Sequence, residues 1–279
     1  LAEGVRADSS LGLTVPAYLR DDAGAREEMA ELQGAVRYMD EGVGRILASL
    51  DSLGLRESTT VVFTTDHGLA LPGAKCTLYD SGLGVALMMR VPDRPAWERR
   101  RITDMVSHVD VVPTLLELAG LPAPAGTEGT SLVPVVEGPA PSRQHTFGQL
   151  SYHTYFDPKR CVRSPSHKLI VNFSNAPRTM DPTQSWLHRS APAGLRGPTV
   201  GTSEAFELYD LALDPDETSN LAADPGHREI LADLATALLT WMHDCSDPLL
   251  TPVAALPRHR EALAALGILA TPSFALQQN

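Results

Sequence analysis

From Thr59 to Thr65 every residue is β-branched or aromatic, and the run ends abruptly in Asp66-His67-Gly68. A segment with so little polar relief predicts a strand buried on both faces of a parallel sheet. In open α/β sheets ligands bind in the crevice beyond the carboxyl ends of the strands, so an acid and an imidazole delivered there together are placed for chemistry. A carboxylate oxygen beside a neutral imidazole nitrogen makes half of a divalent-metal site. Gly68 permits a tight turn after them. Lys75, nine residues after Asp66, is close enough to fold back over the same crevice and present a point charge to an anion.

Upstream lies the longest helical pattern in the chain. Met29, Leu32, Val36, Met39, Val43, Ile46, Leu47 and Leu50 recur at steps of three and four. Asp21 or Asp22 is placed to cap its start and Gly54 its end. A helix leading into a buried strand is half of a βαβ unit, whose first strand would precede Leu1. Leu83 to Val91 predicts another core strand, and Ser107 to Gly120 a capped helix with proline in its first turn. Pro122 to Pro141 is rich in Pro and Gly and suggests a boundary. Beyond it short strands are expected at 146–150, 160–163, 168–173 and 206–211, followed by helices at about 225–243 and 257–266. Strands in succession and then helices indicate an α+β subdomain with an antiparallel sheet. Asn175 to Ser203 has little periodicity and is expected to form a binding loop or lid.

A net charge of −11 argues against a nucleic-acid partner, whose phosphates need a basic face. An anionic substrate would then depend on a bound cation to reverse the potential locally. No apolar run is long enough to span a bilayer. Cys76, Cys161 and Cys245 are scattered and odd in number, which suggests neither a disulfide framework nor a zinc cluster.

Val61 to Pro92, VVFTTDHGLALPGAKCTLYDSGLGVALMMRVP, resembles the second metal-binding motif of the sulfatase family in the alkaline phosphatase superfamily. Glu207 to Pro225, ELYDLALDPDETSNLAADP, resembles a C-terminal signature of the same family. His153 to Phe173 and Trp241 to Pro248 are similar to its sulfamidase-like (heparan N-sulfatase-like) branch. The resemblance implies an alkaline phosphatase-like sandwich, a mainly parallel sheet between helices, of which residues 1–138 are the latter half and residues 139–279 a smaller α+β subdomain. It implies Asp66 and His67 as metal ligands and Lys75 as a sulfate-binding, catalytic cation. His153 and Arg160 are the further candidates for substrate contact. Calcium is the expected ion, with magnesium or manganese as alternatives. The expected partner is a sulfated small molecule or glycan; a homo-oligomer, or pairing with an N-terminal part, is also considered. Sulfatase chemistry further implies a formylglycine made from C/S-x-P/A-S-R. None of the three cysteines stands in that context, and Pro139-Ala-Pro-Ser-Arg143 imitates it without a nucleophile. Two other readings stay open: a phosphodiesterase or phosphonate monoester hydrolase of the same superfamily, and a non-catalytic fragment that binds sulfated glycan or pairs with another chain.

Overall fold

The computed structural model of the protein describes residues 4–138, 143–178, 180, 194–196, 201–251 and 257–269. These fall into two compact units, one of residues 1–92, 150–157 and 175–203 and the other of residues 93–149, 158–174 and 204–279. The sequence suggests a single boundary at 138–139, whereas the chain passes between the units at 92–93, 149–150, 157–158, 174–175 and 203–204. Most of the segment expected as a lid, 175–203, lies outside the described residues.

In the first unit helix α1 runs from Ala23 to Ser52, and the Asp22 carboxylate accepts from the Ala25 N–H at its start. Gly54, at φ 67°, follows its end. Gly34 is required on this helix because a Cβ there would lie 1.8 Å from the Arg6 carbonyl oxygen of the extended N-terminal segment. Leu19, Ala25, Met29 and Leu71 form the buried core against this first part of the helix. Strand β1 (Val61–Thr64), the short helix α2 (Asp80–Leu83) and strand β2 (Leu87–Arg90) follow.

The strand expected at 59–65 is present, but its pairing differs from the parallel sheet predicted for it. β1 and β2 form a two-stranded antiparallel ribbon in the register Val61↔Arg90 to Thr64↔Leu87. An unbroken β-branched run shows that both faces have an affinity for apolar neighbours, and it says nothing about the direction of the strand alongside. None of the four β1 residues is fully buried among the described residues.

The second unit carries α3 (Val111–Leu118), α4 (Val133–Glu137), β5 (His167–Asn172), β6 (Phe206–Asp210) and the greater part of β3 (Thr146–Tyr152) and β4 (Phe156–Arg163), whose residues 150–152 and 156–157 are counted with the first; the strand order is β3-β4-β5-β6. β4–β5 and β5–β6 are antiparallel. Period-two alternation divides β5 cleanly. Leu169 and Val171 belong to the main apolar core with Leu234, Leu238 and Met242 of α5 (Arg228–Asp244) and Leu266 of α6 (Pro257–Leu269). Lys168 and Asn172, also buried, meet carboxylates. The Lys168 Nζ lies 2.8 Å from Glu217, and the Asn172 amide donates to the Glu207 carboxylate at 2.6 Å.

The ELYDL…NLA signature is a set of such contacts. Tyr209 donates its hydroxyl proton to Glu207 at 2.7 Å. Asp214 accepts from the N–H groups of Thr218 and Ser219, each at 2.8 Å. Asn220 imitates a further strand residue beside β6, accepting from the Leu208 and Ala222 N–H groups and donating to the Phe206 carbonyl. Asn220→Ala strands both N–H groups and should lower stability by about 1–3 kcal/mol in urea denaturation followed by circular dichroism. Asn220→Asp keeps the acceptor and should lose less; equal losses in the two would show that the acceptor is not what matters.

Candidate active site

The end of β1 is tied down before the site begins. Thr64 Oγ1 donates to the Ala86 carbonyl at 2.8 Å, and the Ala86 N–H donates to Thr65 Oγ1 at 3.1 Å. After His67 the chain is turned back on itself. The Gly68 N–H donates to the Gly82 carbonyl at 2.9 Å, and a Cβ on Gly68 would lie 1.8 Å from the Ser81 carbonyl oxygen. The Lys75 N–H donates to the Leu69 carbonyl at 3.0 Å, and the Ser81 hydroxyl donates to the Gly73 carbonyl at 2.7 Å. Leu71, Ala74 and Leu78 are buried beneath this loop. A segment with almost no regular structure is thereby given a defined shape.

Asp66 and His67 emerge from it together. The Asp66 side chain is 83% exposed, and its Oδ2 lies 3.2 Å from His67 Nε2. His67 Nδ1 lies 2.7 Å from the Gly68 carbonyl oxygen. A carbonyl only accepts, so Nδ1 is the donor in this contact, and Nε2 is the nitrogen left on the side of the carboxylate, where a cation would take it as a ligand beside Asp66. Two donors bound side by side at about 2.0–2.6 Å to one cation stand roughly 3 Å apart, so the pair fits two neighbouring positions of a metal site. The backbone carbonyl behind the imidazole is the usual outer partner of a metal-bound histidine. Among the described residues no group of three or more His, Cys, Asp or Glu residues gathers around a single point. A hard cation of high coordination number would need the rest of its donors from elsewhere. Lys75 is half-buried and has no ion-pair partner among the described residues.

His153 lies in the connection between β3 and β4, within the same unit as Asp66, His67 and Lys75. It is exposed, and its Nδ1 is 3.2 Å from Thr154 Oγ1. Two residues on, burial together with the charges of Asp157 and Cys76 pushes the Tyr155 phenol above its ordinary pKa. Cys76 follows Lys75 directly and has a left-handed backbone, φ 66°. Tyr155 is not among the residues singled out from sequence; its only signal there is its place in HTYFDP.

Arg160 is in the other unit and is 2% exposed. Its guanidinium holds Asp247 through Nε at 2.5 Å and Nη2 at 3.0 Å, while Nη1 donates to the Lys159 carbonyl. Asp247 also accepts from the Leu249 N–H at 2.9 Å. A buried arginine so engaged joins β4 to the turn after α5, which takes Arg160 out of the set of groups able to meet a substrate. Arg143, the last residue of the Pro-Ser-Arg imitation, is likewise committed, to Asp110, which also closes a capping box with Ser107.

Comparisons with known proteins bear on this geometry. The sulfatase family model matches residues 12–121, and the model for the C-terminal region of N-sulphoglucosamine sulphohydrolase matches residues 73–179. Human N-sulphoglucosamine sulphohydrolase is 30% identical over 262 residues, 85% of this chain and 52% of that protein.

The chain belongs to the sulfatase family.

It spans about half the length of the curated relatives it matches. A solved 2-O GAG sulfatase resembles it with a TM-score of 0.60 at 24% identity, over 85% of this chain and 46% of the other. A second solved protein, in complex with its substrate D-glucosamine-2-N,6-O-disulfate, gives 0.59 at 21% identity, over 80% and 42% of the two chains. At these identities the likeness establishes the α/β fold of the sulfatases and no more. If Arg160 is framework, Arg160→Met should leave the Asp247 carboxylate buried without its partner and cost about 3–5 kcal/mol in chemical denaturation. A variant of parental stability would overturn that role.

Proposed function

We propose that this chain forms part of a sulfatase-type hydrolase that cleaves sulfate esters or sulfamates of a sulfated sugar or an aryl sulfate. The observation that carries the reading is the Asp66–His67 pair, with Oδ2 and Nε2 3.2 Å apart and the imidazole oriented by the Gly68 carbonyl. The sugar preference is supported by the sulfated glucosamine bound to one solved relative and by the name of the human one.

In this reading Asp66 and His67 hold two positions of a divalent cation, calcium by preference because oxygen donors dominate the implied set, with magnesium or manganese as alternatives. When bound, the cation supplies Lewis-acid neutralisation of sulfate oxygens. Asp66 contributes a full negative charge to that cation, and His67 a neutral donor whose tautomer is set by the backbone. Lys75 presents an ammonium to the sulfate, positioned by the loop so that little reorganisation is needed as negative charge moves toward the leaving group. His153, exposed in the same unit, hydrogen-bonds the part of the substrate that carries the sulfate. The nucleophile of the family, a formylglycine, is expected from a C-x-P-S-R segment that this sequence lacks, so no bond-making step is assigned to these residues.

Calcium titration calorimetry on the protein carrying this chain tests the ligand pair directly. Asp66→Asn should weaken binding more than His67→Asn, because an amide oxygen replaces a neutral nitrogen donor better than it replaces a charge. Lys75→Ala should leave calcium affinity in place and lower kcat on a sulfated glucosamine by roughly a hundredfold, while Lys75→Arg retains much of it. Unchanged calcium binding in Asp66→Asn, or faster turnover of an aryl phosphodiester than of an aryl sulfate, would defeat the reading.

A further inference from the structure

The last turn of α5 meets strand β3 at an aromatic stack. The rings of Trp241 and Phe147 have their centroids 5.0 Å apart and their planes 4° from parallel. Both pack on the main apolar core and are only half-buried, so part of the ring surface is left open. Helical spacing puts Asp244 on the side of α5 that carries Trp241, and period-two alternation puts Gln149 on the face of β3 that carries Phe147. These four side chains, with Glu128 from the segment between α3 and α4, line a cavity of about 460 Å³ whose lining lies wholly within the second unit.

The uncommitted charges of this cavity are of one sign. Glu128 and Asp244 are exposed and have no ion-pair or hydrogen-bond partner among the described residues. Arg143, the cation of the lining, is already engaged, its Nε donating to Asp110 at 2.9 Å and its Nη2 to Thr130 Oγ1 at 3.0 Å. Asp244 is also the last residue of α5, where the carbonyl end of the helix carries partial negative charge. A carboxylate there adds to that charge, where a lysine or arginine would offset it, so helix end and side chain both favour a cation. The same surroundings act on the neighbouring thiol: burial, with the charges of Asp247 and Glu128, pushes the pKa of Cys245 up.

We propose that this cavity binds an organic cation, a protonated amine on a ring-sized body, with the body against the Trp241–Phe147 stack and the ammonium within reach of Glu128 and Asp244. Aromatic rings attract a cation through the negative charge of their faces, and the two carboxylates supply full charges beside them. The volume exceeds what a bare ammonium needs and suits a small ring compound. Gln149 brings an amide that both donates and accepts, which a hydroxylated ring can use. An amino sugar and an alicyclic amine share this chemistry and differ in their hydroxyl groups. A sulfated ligand is repelled by Glu128 and Asp244, so the cavity is a second site, separate in its chemistry from the one at Asp66, His67 and Lys75. Nothing in it depends on the catalytic reading.

Calorimetric titration of the 279-residue chain with glucosamine and with cyclohexylammonium tests the site, with N-acetylglucosamine as the uncharged counterpart. Saturable binding of an amine is expected, and N-acetylglucosamine should bind roughly tenfold more weakly than glucosamine. Tighter binding of glucosamine than of cyclohexylammonium would assign the site to amino sugars, and the reverse order to alicyclic amines; either supports it. Glu128→Gln and Asp244→Asn keep the shape of exposed side chains while removing their charge, and each should weaken binding about two- to fivefold, the double variant more than either. A bound amine should also slow alkylation of Cys245 by N-ethylmaleimide while leaving Cys76 unaffected, as read by mass spectrometry of the two peptides. Absence of saturable binding by both amines, equal binding of N-acetylglucosamine and glucosamine, unchanged affinity in the double variant, or equal protection of Cys245 and Cys76 would each overturn the proposal.

Discussion

The hydrogen bond from the Gly68 N–H to the Gly82 carbonyl is the constraint on which the candidate site depends. It returns the chain directly after His67 and requires two backbones to approach so closely that only glycine fits, at Gly68 and again at Gly82, where a Cβ would lie 2.5 Å from the Ala74 carbonyl oxygen. With the return fixed, the Gly68 carbonyl is in place to orient His67, and Lys75 is carried back over buried Ala74. The chemistry of the loop thus follows from its backbone bonding more than from any side-chain packing. On the proposed reading, a loop shaped by its own backbone bonding reduces the ordering cost of binding.

The motifs that distinguish this chain most sharply as a sequence are framework rather than chemistry. Glu207, Tyr209, Asp214, Glu217 and Asn220 are each bound to a neighbour, and Arg160 joins the HTYFDPKR segment to the WMHDCSDP segment through Asp247. Buried polar groups must be satisfied at defined distances and angles, so they tolerate fewer alternatives than apolar positions of similar volume. That explains why such a signature reads clearly while taking no part in the reaction proposed for the site.

Local patterns were legible where the physics is local. The apolar spacing and a cap expected at Asp21 or Asp22, found at Asp22, locate α1 to within a residue or two, and the strand expected at 206–211 is found at Phe206–Asp210. The start of the helix expected from Ser107 is capped, by a capping box between Ser107 and Asp110. The same periodicity did not reveal that only the first part of the α1 stripe is buried, because an amphipathic pattern shows which face seeks an apolar neighbour and not whether one is present. The run Thr59–Thr65 likewise showed strand character without strand direction.

By itself the sequence determined the order of elements, the strand-end position of Asp66-His67-Gly68 and the family of the chain, since each depends on residues close together or on whole segments matched in register. Only the tertiary structure decided that Arg160 belongs to Asp247, that β1 lies antiparallel to β2, and that two nitrogens of Arg90 lie buried without an acceptor among the described residues. Each of these joins residues distant along the chain, and a side chain's partner is set by the three-dimensional path that brings them together. An arginine in a strand has the same appearance in sequence whether it awaits a sulfate or a buried carboxylate.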